Sequence, residues 1–159
     1  MKIRSVSANN HRKAFEVKTS TRAFHLPYAE VDPRPTSADA IRDLFVDREL
    51  GGEAFTYVLK SGREGCVHVD QVLEYNQDPR YLRDALLYKL TIEAQKRVAE
   101  SPLAKREIIR RLGTSASQFY RLLDQSNYRK SVDQLLSLLH LLDCDVDLVV
   151  RARRARYAA

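Results

Sequence analysis

The chain has 159 residues, 44% of them hydrophobic, and a formal net charge of +6. No apolar run approaches the ~18 residues of a membrane-spanning helix, and the start, MKIRSVSANNHRK, lacks the apolar core of a secretory signal, so a cytoplasmic protein is expected. The two cysteines, Cys66 and Cys144, include no CxxC pair, which removes the usual structural zinc signature.

The charge is uneven. Residues 1–79 hold 11 Lys and Arg against 12 Asp and Glu; residues 80–159 hold 16 against 9. The excess of positive charge therefore lies in the second half, the pattern of a neutral module joined to one that meets a polyanion.

In chain order, KAFEVKT and RAFHLPYAEV alternate apolar and polar residues, the period of a half-buried strand. Thr19, Ser20 and Thr21 between them suit a hairpin loop. VDPRPTS interrupts the pattern, and SADAIRDLF predicts a short helix capped at Thr36 or Ser37. EAFTYVLKSGREGCVHVDQVLEYN reads as two further strands around a glycine turn, with Val67 and Val69 on one face and Cys66, His68 and Asp70 on the other. No internal repeat is evident.

At NQDPRYLRDALLYKL the period becomes helical, with Asp78 as cap, Pro79 in the first turn and Leu82, Leu86 and Leu90 recurring every four residues. A domain boundary near residue 79 is expected, giving domains 1–79 and 80–159. Helices follow at AKREIIRRL, ended by Gly113, and at SASQFYRLLDQ, capped by Thr114 or Ser115. After the SNYRK loop comes SVDQLLSLLHLLD, capped by Ser131 with Val132, Leu135, Leu136 and Leu139 on one face. DVDLVVRAR alternates at Val146, Leu148 and Val150 and predicts a strand; the last stretch, RARRARYAA, is expected to fray.

The stretch REIIRRLGTSASQFYRLL reads as two helices joined at a glycine. Ile108 and Leu112 supply the buried side of the first, and Phe119 and Leu122 that of the second. Ala116, Ser117, Gln118, Tyr120 and Arg121 then remain on the outer, N-terminal part of the second helix, where small and hydrogen-bonding side chains suit base edges. Residues 104–130 contain seven Lys and Arg and two acids, Glu107 and Asp124. Lys105 and Arg106 stand at the start of the first helix, and Arg129 and Lys130 in the following loop, positions that suit phosphate oxygens.

From about Thr91 to Asp143 the chain resembles the phage-repressor-like helix-turn-helix domains, on Ile108, RLGTS at 111–115, the helix 115–125 and SVDQLLSLLHLLD. The trailing DCDVDLVVRAR resembles the strand that ends several antitoxin-like members. Three positions depart from the family pattern, the mildest being Lys105, which replaces a frequent glutamine but keeps a phosphate donor. Ile109 stands where a small residue is usual, so that either the helices splay or one of Ile109 and Phe119 points elsewhere. Ala116 stands where a base-reading glutamine is common. The first half, beginning IRSV and holding two hairpins, is similar to a bacterial family of unknown function.

Other groupings carry less chemistry. Cys66, His68 and Asp70 on one strand face are spaced widely for a single metal ion, so no metal is expected. No GxSxG, HExxH or phosphate-cradling glycine loop occurs, and neither an enzyme nor a cofactor is expected.

The expected architecture is α+β: a small, mostly antiparallel β domain followed by an all-helical, lambda-repressor-like domain. The resemblance implies a transcriptional regulator that binds double-stranded DNA as a homodimer. Ser117, Gln118, Tyr120 and Arg121 would reach the groove; Lys105, Arg106, Arg129 and Lys130 would meet phosphates. The alternative is an antitoxin-like interaction module whose first domain holds a partner protein.

Overall fold

In the computed structural model, which describes residues 1–152, the period-two segments form six strands. They are β1 (Ile3–Asn9), β2 (Ala14–Thr19), β3 (Ala23–Pro27), β4 (Ile41–Asp47), β5 (Ala54–Leu59) and β6 (Glu64–His68). They make two antiparallel three-stranded sheets, β1-β2-β3 and β4-β5-β6. Five helices complete an α+β protein: α1 (Val69–Tyr75), α2 (Pro79–Glu100), α3 (Lys105–Leu112), α4 (Ala116–Leu122) and α5 (Val132–Leu141). The chain divides into two units, Met1–Leu82 and Arg83 onward, the division falling inside α2.

The first unit is built from one motif used twice, which the sequence reading did not detect. Each sheet is a meander whose first strand slips register at its start, between Ile3 and Ser5 in one and between Ile41 and Asp43 in the other. The central strands bury the same positions: Ala14, Phe15, Val17 and Thr19 in β2, and Ala54, Phe55, Tyr57 and Leu59 in β5. At one cross-strand pair the two copies exchange their bulk. Val17 faces Phe24 in the first sheet, whereas Tyr57 faces Gly65 in the second. A Cβ added at Gly65 would collide with the Tyr57 hydroxyl and ring, so the glycine is required by the ring opposite. Each pair thus supplies one aromatic ring to the core, from opposite strands. Ile-Arg opens both first strands and Ala-Phe both central ones, but the exchange of ring positions weakens the repeat in a direct comparison of the two segments.

The inward faces of the sheets pack around Phe15, whose ring centroid lies 4.9 Å from that of Tyr28, 5.0 Å from Phe55 and 5.2 Å from Tyr57. Val69, Val72 and Leu73 of α1 join this core. Their spacing is helical. The expected strand through Val69 and Asp70 therefore ends at His68, whose Nδ1 accepts the Asp70 amide and caps α1 (3.2 Å). Asp70 leaves the Cys66–His68 strand face, and the three-residue row proposed from sequence does not exist.

The expected helix over SADAIRDLF is also replaced. Ile41–Asp47 is strand β4, paired along its length with β5. Thr36 does accept a backbone amide, that of Asp39 (3.0 Å), but in a turn and not a helix cap. Pairing with a buried central strand outweighs a weak local helical preference.

At α2 the cap is as expected: Asp78 accepts the amides of Arg80 and Tyr81 at 3.1 Å each. Its buried face in the second unit is Leu87, Thr91, Ala94 and Val98, not the Leu82–Leu86–Leu90 row, and Leu86 is exposed. The Thr91 hydroxyl is satisfied by the Leu87 carbonyl at 2.6 Å. On α5 the buried residues are Leu135, Leu138 and Leu139, while Val132 and Leu136 are exposed. No strand forms over residues 145–152, where Leu148 and Val150 are 81% and 84% exposed. Arg153 and the rest of RARRARYAA lie outside the described residues. Among the described residues no helix is long and apolar enough to cross a membrane.

Candidate nucleic-acid interface

The second unit holds its two short helices at a fixed turn. Gly113 ends α3 at φ 70°, ψ 32°, in the left-handed region. Its amide donates to the Arg110 carbonyl and the Thr114 amide to that of Ile109, the two bonds of a Schellman ending. No atom approaches a Cβ built at this glycine within 4 Å, so backbone conformation and not space demands it. The chain re-enters helix at once, because Ser115 accepts the Gln118 amide (3.1 Å) and caps α4. Ser131 does the same for α5 through the Gln134 amide (3.4 Å).

Ile108, Phe119, Leu122, Leu135 and Leu138 form the centre of this unit with Leu87, Ala94 and Val98. Ile108 and Phe119 are both fully buried, and Ile109 is half-buried at the periphery of that cluster. The bulky pair at the turn is thus resolved by Ile109 turning to the edge, leaving Phe119 in the core.

α4 has seven residues, and its C-terminal carbonyls would be left orphaned without outside partners. Three side chains supply them. Asn127 Nδ2 donates to the Arg121 carbonyl (3.2 Å) and Gln95 Nε2 to that of Leu123 (2.7 Å). Lys130 Nζ donates to Leu122 (3.0 Å) and Asp124 (2.6 Å). Burial pushes the Lys130 ammonium below its ordinary value, and the Asp124 carboxylate opposes that shift. Asp124 is itself held low by the hydroxyl and amide of Ser126.

With Phe119 and Leu122 turned inward, Ser117, Gln118, Tyr120 and Arg121 stand on the exposed side of α4, together with Ala116. The Tyr120 ring rests edge-on against Phe119, centroids 5.5 Å apart. Lys105 and Arg106 are exposed in the first turn of α3. Glu107 beside them binds both Arg110 and Arg111, with its Oε1 2.9 Å from the Arg111 Nε. These two hydrogen-bonded guanidiniums lower the Glu107 pKa to about 2. The basic cluster therefore sorts into two arginines that share the single Glu107 carboxylate and keep one net positive charge, one lysine spent on carbonyls, and Lys105, Arg106, Arg121 and Arg129, which form no ion pair among the described residues.

Gln118, Arg121, Arg129 and Lys130 border one cleft of about 700 Å³, between the end of α4 and the start of α5. The Asp124 carboxylate also lines it, as do Asn127 and Gln134. The sequence reading passed over these two, although the Ser131-x-x-Gln134 spacing is a helix-start signature that places Gln134 beside the cap. Lys105 and Arg106 do not line this cleft.

No family model, curated protein or solved structure matches the chain.

Proposed function

We propose that the second unit is a phage-repressor-like helix-turn-helix domain that binds double-stranded DNA, and that the protein regulates transcription as a homodimer. The outer face of α4 carries this reading: Ser117, Gln118, Tyr120 and Arg121 are exposed on a helix anchored by Phe119 and Leu122. A helix lies within the ~12 Å major groove, where glutamine and arginine read adenine and guanine edges through paired hydrogen bonds. Gln118 and Arg121 take those roles, with Ser117 near the groove floor and Tyr120 toward the sugar–phosphate wall. Ala116, lacking a polar group, shifts the reading burden onto Gln118.

Lys105, Arg106 and Arg129 contact phosphates. Lys130 contributes to affinity by keeping the end of α4 in place. A twofold dimer would set two such helices ~34 Å apart, one DNA turn. The exposed apolar side chains of Val146, Leu148, Val149 and Val150 support association with a second copy, which would cover them.

The test is fluorescence anisotropy with mixed-sequence duplex DNA across a salt series, on the parent, Arg121→Ala and Lys105→Ala. Neutralising ~3–5 phosphates per subunit, ~6–10 per homodimer, gives a log–log salt slope of about −5 to −9. Both variants should bind more weakly, and Lys105→Ala should reduce the slope by about 2, one for each subunit. A folded parent that fails to bind at low salt would overturn the reading in favour of an antitoxin-like interaction module.

A further inference from the structure

A second cleft, of about 550 Å³, lies wholly in the first unit. Its walls include the apolar surfaces of Pro27, Tyr28, Ala29, Pro35 and Ala40. Around them stand Arg12, Lys13 and Arg34, and no carboxylate lines the cavity. All three cations are exposed, and none forms an ion pair among the described residues. Elsewhere in this unit Arg22 meets Asp78, Arg42 meets Asp43 and Arg63 meets Asp39, whereas Arg4, Arg48 and Arg80, scattered along the sequence, have no ion pair among the described residues. Glu16 feels the charge of Arg12 but neither forms an ion pair with it nor lines the cleft.

The polar groups of the cleft are arranged as donors. The buried Tyr28 phenol, pushed up by that burial, donates to Asn10 Oδ1 at 2.8 Å, which leaves the Asn10 amide N–H groups available. Thr36 Oγ1 accepts the Asp39 amide and keeps its own proton to donate. The Ser37 hydroxyl also lines the cavity. Lys13 sits at φ 50°, a left-handed conformation that costs a lysine free energy, and its carbonyl is fixed by the Tyr28 amide at 2.8 Å. Three cations and several neutral donors with no acid among them fit a multiply charged anion. The apolar walls fit an organic body attached to it.

We propose that this cleft binds a small organic phosphate monoester, its phosphate held by Arg12, Lys13 and Arg34 and its organic part set against Tyr28 and the two prolines. The site belongs to the first unit alone and stands independently of DNA binding by the second.

The experiment titrates the full chain with inorganic phosphate, ribose 5-phosphate and adenosine 5′-monophosphate, with adenosine as the uncharged control, and follows backbone amide NMR shifts. The phosphates should move Lys13, Tyr28, Ala29, Thr36 and Ser37 along one saturable path. Adenosine should bind at least about tenfold more weakly than its monophosphate, and an Arg12→Gln/Arg34→Gln variant should lose at least about tenfold for every phosphate. Both arginines are exposed, so that variant keeps its fold, checked by unchanged shifts in the core residues Phe15 and Phe55. The proposal fails if no phosphate probe moves these amides at about 10 mM, or if adenosine matches its monophosphate. It also fails if the double variant binds like the parent, or if duplex DNA alone perturbs the cleft.

Discussion

Replacing Lys130 by methionine separates two roles that a basic residue in this loop could play. The ammonium donates to the Leu122 and Asp124 carbonyls, at 3.0 and 2.6 Å. A hydrogen bond from a charged donor contributes about 1.5–3 kcal/mol when well shielded and nearer 0.5–1 kcal/mol where water competes. One of the two acceptors is part-buried and the other exposed, so solvent screening places their sum at about 1–2 kcal/mol. For a unit of this size that corresponds to roughly 4–8 °C in Tm per kcal/mol. Urea unfolding followed by helical circular dichroism, read against Arg129→Met as an exposed-charge control, measures it. Lys130→Met should unfold earlier, with faster amide exchange across α4, while Arg129→Met stays within about 0.5 kcal/mol of the parent. A Lys130→Met protein as stable as the parent, whose DNA salt slope falls by about 2 for the homodimer, would refute the carbonyl role and return Lys130 to the phosphates.

Further outcomes can be checked independently. Gly65→Ala should destabilise the first unit by about 3 kcal/mol through overpacking, since the Tyr57 ring is fully buried and its hydroxyl is tied to the Pro33 carbonyl at 2.7 Å. Adding Gly65→Ala to Tyr57→Ala should cost far less than it does alone, a non-additivity that denaturant unfolding of the four proteins would read. Gly113→Ala should cost about 1 kcal/mol from φ alone and Gly113→Asn less, measured the same way. The Glu107 carboxyl should titrate near pH 2 by carbon-detected NMR. Its folded pKa lies below the ordinary 4.5, so its pairing with Arg110 and Arg111 stabilises α3 at pH values above about 4.5 and is lost as pH falls toward 2. A midpoint near 4.5 would mean the pairs do not persist in solution.

Much of the second unit was legible because its signals are local. Asp78, Ser115 and Ser131 each cap the helix their spacing announces, and Gly113 marks a left-handed ending that few other residues tolerate. What escaped depends on partners distant in sequence. Lys130 reads as a loop cation until α4 folds back and presents its carbonyls, and Gln95 serves Leu123 across 28 positions. β4 carries a helix-like start, yet its conformation is decided by β5. The duplicated meander was obscured because the pair Val17 and Phe24 is answered by Tyr57 and Gly65, a match visible only across strands. The cleft around Tyr28 draws its cations from Arg12, Lys13 and Arg34, segments that no periodicity connects.

The doubling of the meander frees one copy's turn to change chemistry while the other copy's counterpart keeps a different one. In the first, the turn between the outer and central strands reads Asn10, His11, Arg12 and Lys13; in the second, it runs from Arg48 through Glu49, Leu50, Gly51, Gly52 and Glu53. The same scaffold thus offers a cationic tip at one place and an acid-bearing, glycine-softened one at the other. The Gly52 carbonyl is engaged by the Ile3 amide at 2.8 Å, so the second tip serves as a splice between the copies. An organism altering this protein's ligand would have one turn to rewrite and one to leave alone. Loop grafts should follow the same asymmetry: His11 and Arg12 exchangeable at little cost to stability between the Asn10 and Lys13 that hold Tyr28, residues 48–53 not.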